Sequence, residues 1–156
     1  IKGRFLGKVT LTLEHESNGR DSIQSRSWNK VSFGGSVMVD PNLMVYGKFW
    51  IPIVDGQNNK DILKYCGLFQ LGWDWRSSNR RLGASMNFVK RQGHFIRAFF
   101  NWNVTAEFSW RLSKTANQFL FVQYYNGYGE GLLDYNKWHS MLRVGIVIKP
   151  TLFSEF

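Results

Sequence analysis

The chain has 156 residues, enough for one domain, and its single cysteine, Cys66, excludes an intrachain disulfide. Lysine and arginine outnumber aspartate and glutamate by 20 to 11, which gives a net charge of +9. That charge suits nucleic acid or anionic lipid headgroups, but no nucleic-acid recognition motif accompanies it, so we expect no nucleic-acid partner. No run of residues approaches the ~20 apolar residues that a transmembrane helix needs.

Apolar and polar side chains alternate along most of the chain, and this pattern predicts eight antiparallel strands. The predicted strands are 3–17, 26–40, 43–53, 62–76, 80–91, 96–112, 118–126 and 137–149. Over 96–112 the even positions are all apolar and the odd positions almost all polar. Strands of globular proteins usually run about 5–6 residues, whereas a membrane-spanning strand needs ~9–11. The length of the alternation therefore favours membrane-spanning strands.

The predicted connections are of two kinds. Short turns are expected at 40–42, 77–80 and 114–117, and longer loops at 55–61 and 126–137. Short turns at one end and longer loops at the other are typical of outer-membrane barrels. Several tryptophans near strand ends are predicted to form interfacial girdles: Trp50, Trp73, Trp75, Trp110 and Trp138.

Alternation alone does not say which face of the sheet is inside. A soluble β-sandwich or lipocalin-like barrel would turn the apolar face inward, and this interpretation stays open. Strand length and an aromatic content of 17% favour an antiparallel transmembrane β-barrel with its apolar face toward lipid.

A polar segment, HESNGRDSIQSRSWN at 15–29, ends the first strand and begins the second. Side chains two apart on a strand share a face, so His15 and Ser17 continue the apolar face that begins at Val9. Asn29 begins the matching face of the second strand. A hairpin between the two strands would therefore bring Asn29 beside His15.

These three residues have the chemistry of a hydrolytic triad. Ser17 would be the nucleophile, His15 the general base, and Asn29 would accept a hydrogen bond from the Nδ1 of His15 to fix its tautomer. Polar residues at a strand end also mark the membrane–water boundary. The residues alone therefore leave a catalytic and a structural interpretation open.

Three segments resemble the outer membrane phospholipase A family: HESNGR, SRSWN and, at 124–136, YYNGYGEGLLDYN. The resemblance covers essentially the whole chain. It implies an antiparallel barrel in the Gram-negative outer membrane, with the catalytic residues on its lipid-facing surface near the outer leaflet. It also implies calcium-dependent hydrolysis of acyl esters in phospholipids and lysophospholipids, as phospholipase A1 and A2, by an enzyme that works as a homodimer.

The resemblance also implies roles for individual residues. Ser17, His15 and Asn29 keep the roles given above. Gly19 would offer its backbone N–H to the oxyanion hole. The hydroxyl of Ser25 and the backbone carbonyl of Arg20 would bind Ca²⁺.

The chain departs from the family pattern in length, because the family barrel has twelve strands and eight are predicted here. We expect residues 1–156 to be one barrel domain that forms the C-terminal portion of a larger barrel, with N-terminal strands missing. Two alternatives remain: a lipid A deacylase barrel, or a barrel without enzymatic activity. Deacylases of that class also carry a His–x–Ser pair, but their third member is a glutamate and their site lies late in the chain.

Overall fold

The computed structural model describes residues 7–19, 26–53, 60–91, 101–114 and 117–148. Within these ranges the elements are β1 (Gly7–Ser17), β2 (Ser27–Asp40), β3 (Leu43–Ile53), α1 (Ile62–Cys66), β4 (Phe69–Arg76), β5 (Leu82–Lys90), β6 (Trp102–Arg111), β7 (Gln118–Gly127) and β8 (His139–Ile148). The eight strands form one antiparallel sheet in chain order. The predicted all-β antiparallel fold is therefore confirmed. No helix in the described ranges is long and apolar enough to cross a membrane.

The predicted strand 62–76 is wrong in its first part, where the chain forms α1 instead. The helix ends at Gly67, whose φ of +87° lies in the left-handed region, and the Gly67 N–H donates to the Leu63 carbonyl at 3.1 Å. The side chain of Ile62 is buried against tryptophans of the sheet interior. A short apolar run can be a buried helix or a strand, and here its packing decides. The predicted starts at 3–6 and 96–100 lie outside the described residues.

The two faces of the sheet differ sharply in exposure. On the outward face of β1, Val9 and Leu13 are 71% and 79% exposed. On the inward face, Ser32 is 1% and Ser109 3% exposed. A soluble protein buries its large apolar side chains, so this inverted arrangement is that of a strand surface facing lipid.

The inner face carries a small core near the end of the sheet where β1 finishes. Trp28, Trp50, Ile62 and Tyr135 are all buried there and pack as one cluster. The prediction that Trp50 belongs to an interfacial girdle is wrong. It lies on the inward face of β3, and its Nε1 donates to the Gly67 carbonyl at 3.0 Å.

The connections divide between the two ends of the sheet as predicted. The β2–β3, β4–β5 and β6–β7 turns are short, and the segments that follow β1, β3, β5 and β7 are longer. Because β1 runs toward the end with the longer segments, its last residues reach that end. Among the described strands β1 pairs only with β2 and β8 only with β7, so the described sheet is open between them.

Candidate active site

His15 and Asn29 meet across the β1–β2 ladder. The register pairs them directly, and His15 Nδ1 lies 2.6 Å from Asn29 Oδ1. An amide oxygen is only an acceptor, so this contact places the imidazole proton on Nδ1 and leaves Nε2 as the acceptor. His15 is exposed on the lipid-facing side, and Asn29 is half-buried. The predicted contact between the two side chains is present.

Ser17 is the last residue of β1 and lies opposite Ser27. It is exposed and shares the outward face with His15. Among the described residues no hydrogen bond joins Ser17 to His15, and two positions along a strand correspond to about 7 Å. Catalytic hydrogen bonds are often long before substrate binds. The structure thus brings two of the three residues into contact and leaves the third on the same face.

The segment after Ser17 closes a hairpin at its base. The Asn18 N–H donates to the Arg26 carbonyl, and the Arg26 N–H donates to Asn18 Oδ1, both at 3.0 Å. Gly19 has a φ of +60°, in the left-handed region of the backbone. Arg20 and Ser25, the expected calcium ligands, lie outside the described residues. The two hydrogen bonds join Asn18 to Arg26, on either side of the segment that contains Arg20 and Ser25.

A charge cluster lies directly behind His15 on the inward face. Lys30 Nζ lies 3.1 Å from Glu14 Oε2 and 2.5 Å from Glu16 Oε1. Glu14 also pairs with Lys48 on β3 at 2.8 Å. We call Glu14, Glu16, Lys30 and Lys48 the inner charge cluster. This cluster was not predicted from the sequence, although all four residues stand at even positions of β1, β2 and β3.

Tryptophans complete the surroundings of the inner charge cluster. Trp28 Nε1 donates to Glu16 Oε2 at 3.0 Å. Lys30 Nζ lies 4.3 Å from the Trp28 ring centroid and 5.4 Å from that of Trp50. Lys30 is therefore held by two carboxylates and two aromatic rings, although lysine is rarely buried.

Aromatic residues brace the long segment between β7 and β8. Tyr65 of α1 packs against Tyr128 and Tyr135, with ring centroids 5.2 and 5.6 Å apart. The Tyr135 hydroxyl donates to Asp61 Oδ1 at 2.5 Å. Burial, with this hydrogen bond to Asp61, raises the pKa of Tyr135 to about 12. The phenol therefore stays a neutral donor at physiological pH, and it fixes this segment over the end of the sheet nearest His15.

Within the described part of the chain, no group of three or more His, Cys, Asp and Glu side chains is placed to hold a metal ion. The expected ligands are of another type, because Ser25 would offer a hydroxyl and Arg20 a backbone carbonyl. Both are hard oxygen donors of the kind that Ca²⁺ prefers. The hydrogen bonds between Asn18 and Arg26 join the described residues on either side of the segment that contains both.

Comparison with known proteins gives a consistent result. The family model described as phospholipase A1 matches residues 1–148. Phospholipase A1 of Salmonella typhimurium is 33% identical over 149 residues, and that of Escherichia coli K12 is 32% identical over 149 residues. Each alignment covers 94% of this chain and 47% of the relative. The chain therefore spans about half the length of the curated relatives that it matches.

Solved structures show the same relationship. Outer membrane phospholipase A from Escherichia coli superimposes with a TM-score of 0.78 at 28% identity, over 90% of this chain and 51% of that chain. A Salmonella typhi outer membrane phospholipase dimer with bound calcium gives a TM-score of 0.74 at 28% identity, over 93% of this chain and 58% of that one. These relatives confirm the predicted β-barrel fold class and the Gram-negative outer membrane as its location. By its sequence and its fold, the chain belongs to the phospholipase A1 family.

Proposed function

We propose that the chain carries the catalytic residues of an outer-membrane phospholipase A, which hydrolyses acyl ester bonds of phospholipids and lysophospholipids. The observation that carries this proposal is the 2.6 Å contact between His15 Nδ1 and Asn29 Oδ1, on the lipid-facing side beside Ser17. Unpaired polar groups on a lipid-facing surface are costly. A His–Asn pair at the membrane boundary, next to an exposed hydroxyl, is suited to ester chemistry at that surface.

The proposed reaction uses each residue in one role. Ser17 Oγ attacks the ester carbonyl carbon while His15 Nε2 takes the hydroxyl proton. His15 then gives that proton to the departing lysophospholipid alcohol, which leaves an acyl-serine. Water hydrolyses the acyl-serine by the same route in reverse, and the fatty acid departs. Asn29 holds the imidazole in the productive tautomer but does not itself react.

The backbone after Ser17 is suited to stabilising the oxyanion. Gly19, two residues beyond the proposed nucleophile, has left-handed backbone geometry, and its N–H would donate to the tetrahedral oxygen. Ser25 and Arg20 would hold Ca²⁺, which when bound neutralises developing negative charge. A dimer with bound calcium among the solved relatives supports this assignment of the cofactor.

The proposed partners follow from the outward face and from the relatives. Substrate phospholipids would reach the trio from the outer leaflet, since His15 and Ser17 lie on the apolar surface. We propose that the complete protein is active as a homodimer, as the calcium-bound relative is a dimer. We further propose that residues 1–156 are one barrel domain, and that additional strands complete the barrel beyond the open edges at β1 and β8.

The proposal is tested by covalent labelling of the complete protein in detergent micelles with a long-chain sulfonyl fluoride. We expect modification of Ser17, identified by mass spectrometry of the peptide. His15→Ala should slow the labelling, because an unassisted serine hydroxyl is a weak nucleophile. Ser27→Ala is the matched control, since Ser27 lies opposite Ser17 and has no assigned role. An unmodified Ser17 in a folded, calcium-supplied barrel would count against the proposal.

A further inference from the structure

Lys30 is tied to β1 on both sides of the candidate base. Glu14 and Glu16 are the residues immediately before and after His15, and both carboxylates reach the one ammonium group of Lys30. Lys30 itself follows Asn29 on β2. Lys30 therefore links β1 to β2 on the inward face, directly behind the contact between His15 and Asn29.

The environment of this ammonium makes it a rigid tie. The Lys30 side chain is only 9% exposed, and it lies against the ring faces of Trp28 and Trp50. Trp28 adds a second tie, because its indole N–H donates to Glu16 at 3.0 Å. The Glu14 side chain is 20% exposed and that of Glu16 is 45% exposed, so the Lys30–Glu14 ion pair is the better shielded of the two.

The consequence for the outer face follows from strand geometry. Side chains alternate along a strand, so the backbone that carries Glu14 and Glu16 also fixes the direction of the His15 side chain. The trio tolerates little displacement, because an error of about 1 Å in a reacting group costs on the order of a hundredfold in rate. A tie on both sides of His15 limits that displacement.

We propose that Lys30, through Glu14 and Glu16, is a positioning residue that holds His15 in register with Asn29 on the opposite face of the sheet. This inference rests on the proposed function, because it assigns a role in the same reaction. Lys30 does not touch substrate. It acts through the backbone of β1.

Lys48 provides a matched control. It pairs with the same Glu14, at 2.8 Å, and is also largely buried, with its side chain 18% exposed. It lies on β3, which carries none of the three proposed catalytic residues, and its ion pair with Glu14 reaches only one side of His15. Removing its charge perturbs the same cluster without releasing both ties.

The test compares Lys30→Met, Lys30→Arg and Lys48→Met with wild type in the complete protein. Phospholipid hydrolysis in mixed micelles gives kcat and KM separately. We expect Lys30→Met to lower kcat by about tenfold to a hundredfold with little change in KM. Lys30→Arg should recover most of the loss, and Lys48→Met should stay within about threefold of wild type. The double variant Lys30→Met/Glu16→Gln serves if Lys30→Met folds poorly, and it should show the same loss of kcat.

A second readout separates this inference from the proposed function. The ¹⁵N shift of His15 Nδ1, measured by NMR on histidine-labelled protein in micelles, reports the hydrogen bond to Asn29. We expect Lys30→Met to move this shift toward that of Asn29→Ala, and Lys48→Met to leave it in place. If wild type hydrolyses nothing, the proposed function fails while the His15 shift still tests the tie. An unchanged shift and kcat in Lys30→Met, or equal losses in Lys48→Met, would overturn the inference.

Discussion

His15 Nδ1 and Asn29 Oδ1 lie 2.6 Å apart across directly paired positions of β1 and β2. In the proposed reaction Asn29 orients the base and does not react, so Asn29→Ala should lower kcat by about tenfold to a hundredfold and leave activity measurable. Asn29→Asp keeps an acceptor for Nδ1 and should lose less than the alanine variant. Steady-state hydrolysis in micelles measures both, and full activity of Asn29→Ala would remove Asn29 from the site.

Gly19 has a φ of +60°, and among the described residues beyond its chain neighbours no atom lies within 4 Å of the position that a Cβ would take. A substitution there is therefore strained through its backbone, whatever the space around it. Gly19→Val should add about 1–2 kcal/mol of backbone strain at this position. If the backbone relieves that strain by displacing the Gly19 N–H, kcat/KM should fall by about tenfold. Gly19→Asn should lose less, because asparagine tolerates this backbone region. Equal activity of the valine variant and wild type would exclude Gly19 from the oxyanion hole.

Leu11 is 74% exposed at the middle of the outward face of β1. Leu11→Arg should destabilise the folded barrel in lipid by ~2–4 kcal/mol, because it places a charge near the bilayer midplane. Val39, one residue from the end of β2, is 50% exposed and offers a shallower control. Val39→Arg should cost only about 0–1 kcal/mol. Denaturant unfolding in vesicles measures both, and equal small costs would contradict a lipid-facing β1.

Cys66 is the last residue of α1, and it packs against the buried cluster of Trp28, Trp50, Ile62 and Tyr135. Burial, with the negative charge of Glu16 adding to it, raises the pKa of the Cys66 thiol from 9.0 to about 12. Between pH 9 and about 12, the folded state therefore keeps the thiol proton that the unfolded chain releases. The contribution of the buried thiol to stability is present below pH 9 and lost as pH rises through about 12.

The same pKa predicts the reactivity of Cys66. Only the thiolate reacts, so alkylation by iodoacetamide at pH 8 should be slower in the folded barrel than in denaturant by on the order of 10³. Cys66→Ala gives the background for mass spectrometry. Similar rates in the two states would contradict the burial of this thiol.

Sequence alone predicted the parts of the fold that depend on alternation. The eight strands and the facing of His15 and Asn29 follow from a period of two, since the side chains that share a face are fixed once the strand is known. The outward direction of the apolar face was predicted from strand length and aromatic content, and not from the alternation itself. Alternation is the same whether Leu13 faces lipid or a soluble core.

The sequence failed where packing overrides local pattern. Residues 62–66 form a helix in which Ile62 is buried beside Trp28 and Trp50. A short apolar run in the sequence does not distinguish such a buried helix from a strand. Trp50 lies near the end of β3, as a girdle residue would. Because it is two residues from Lys48, however, it shares the inward face with Lys48. The inner charge cluster was missed because its members lie on three strands, and only their pairing makes them neighbours.

Hydrolysis of acyl esters in mixed phospholipid–detergent micelles tests the central claim most directly. Wild-type complete protein and its Ser17→Ala variant would be assayed with calcium and with chelator. We predict fatty-acid release by wild type that needs calcium and disappears in Ser17→Ala, while the variant still folds as a barrel. Undiminished release by Ser17→Ala would contradict the assignment of the nucleophile. Release from lipid A alone would indicate a deacylase, and no release from either lipid would contradict an enzymatic role for the His15–Asn29 pair.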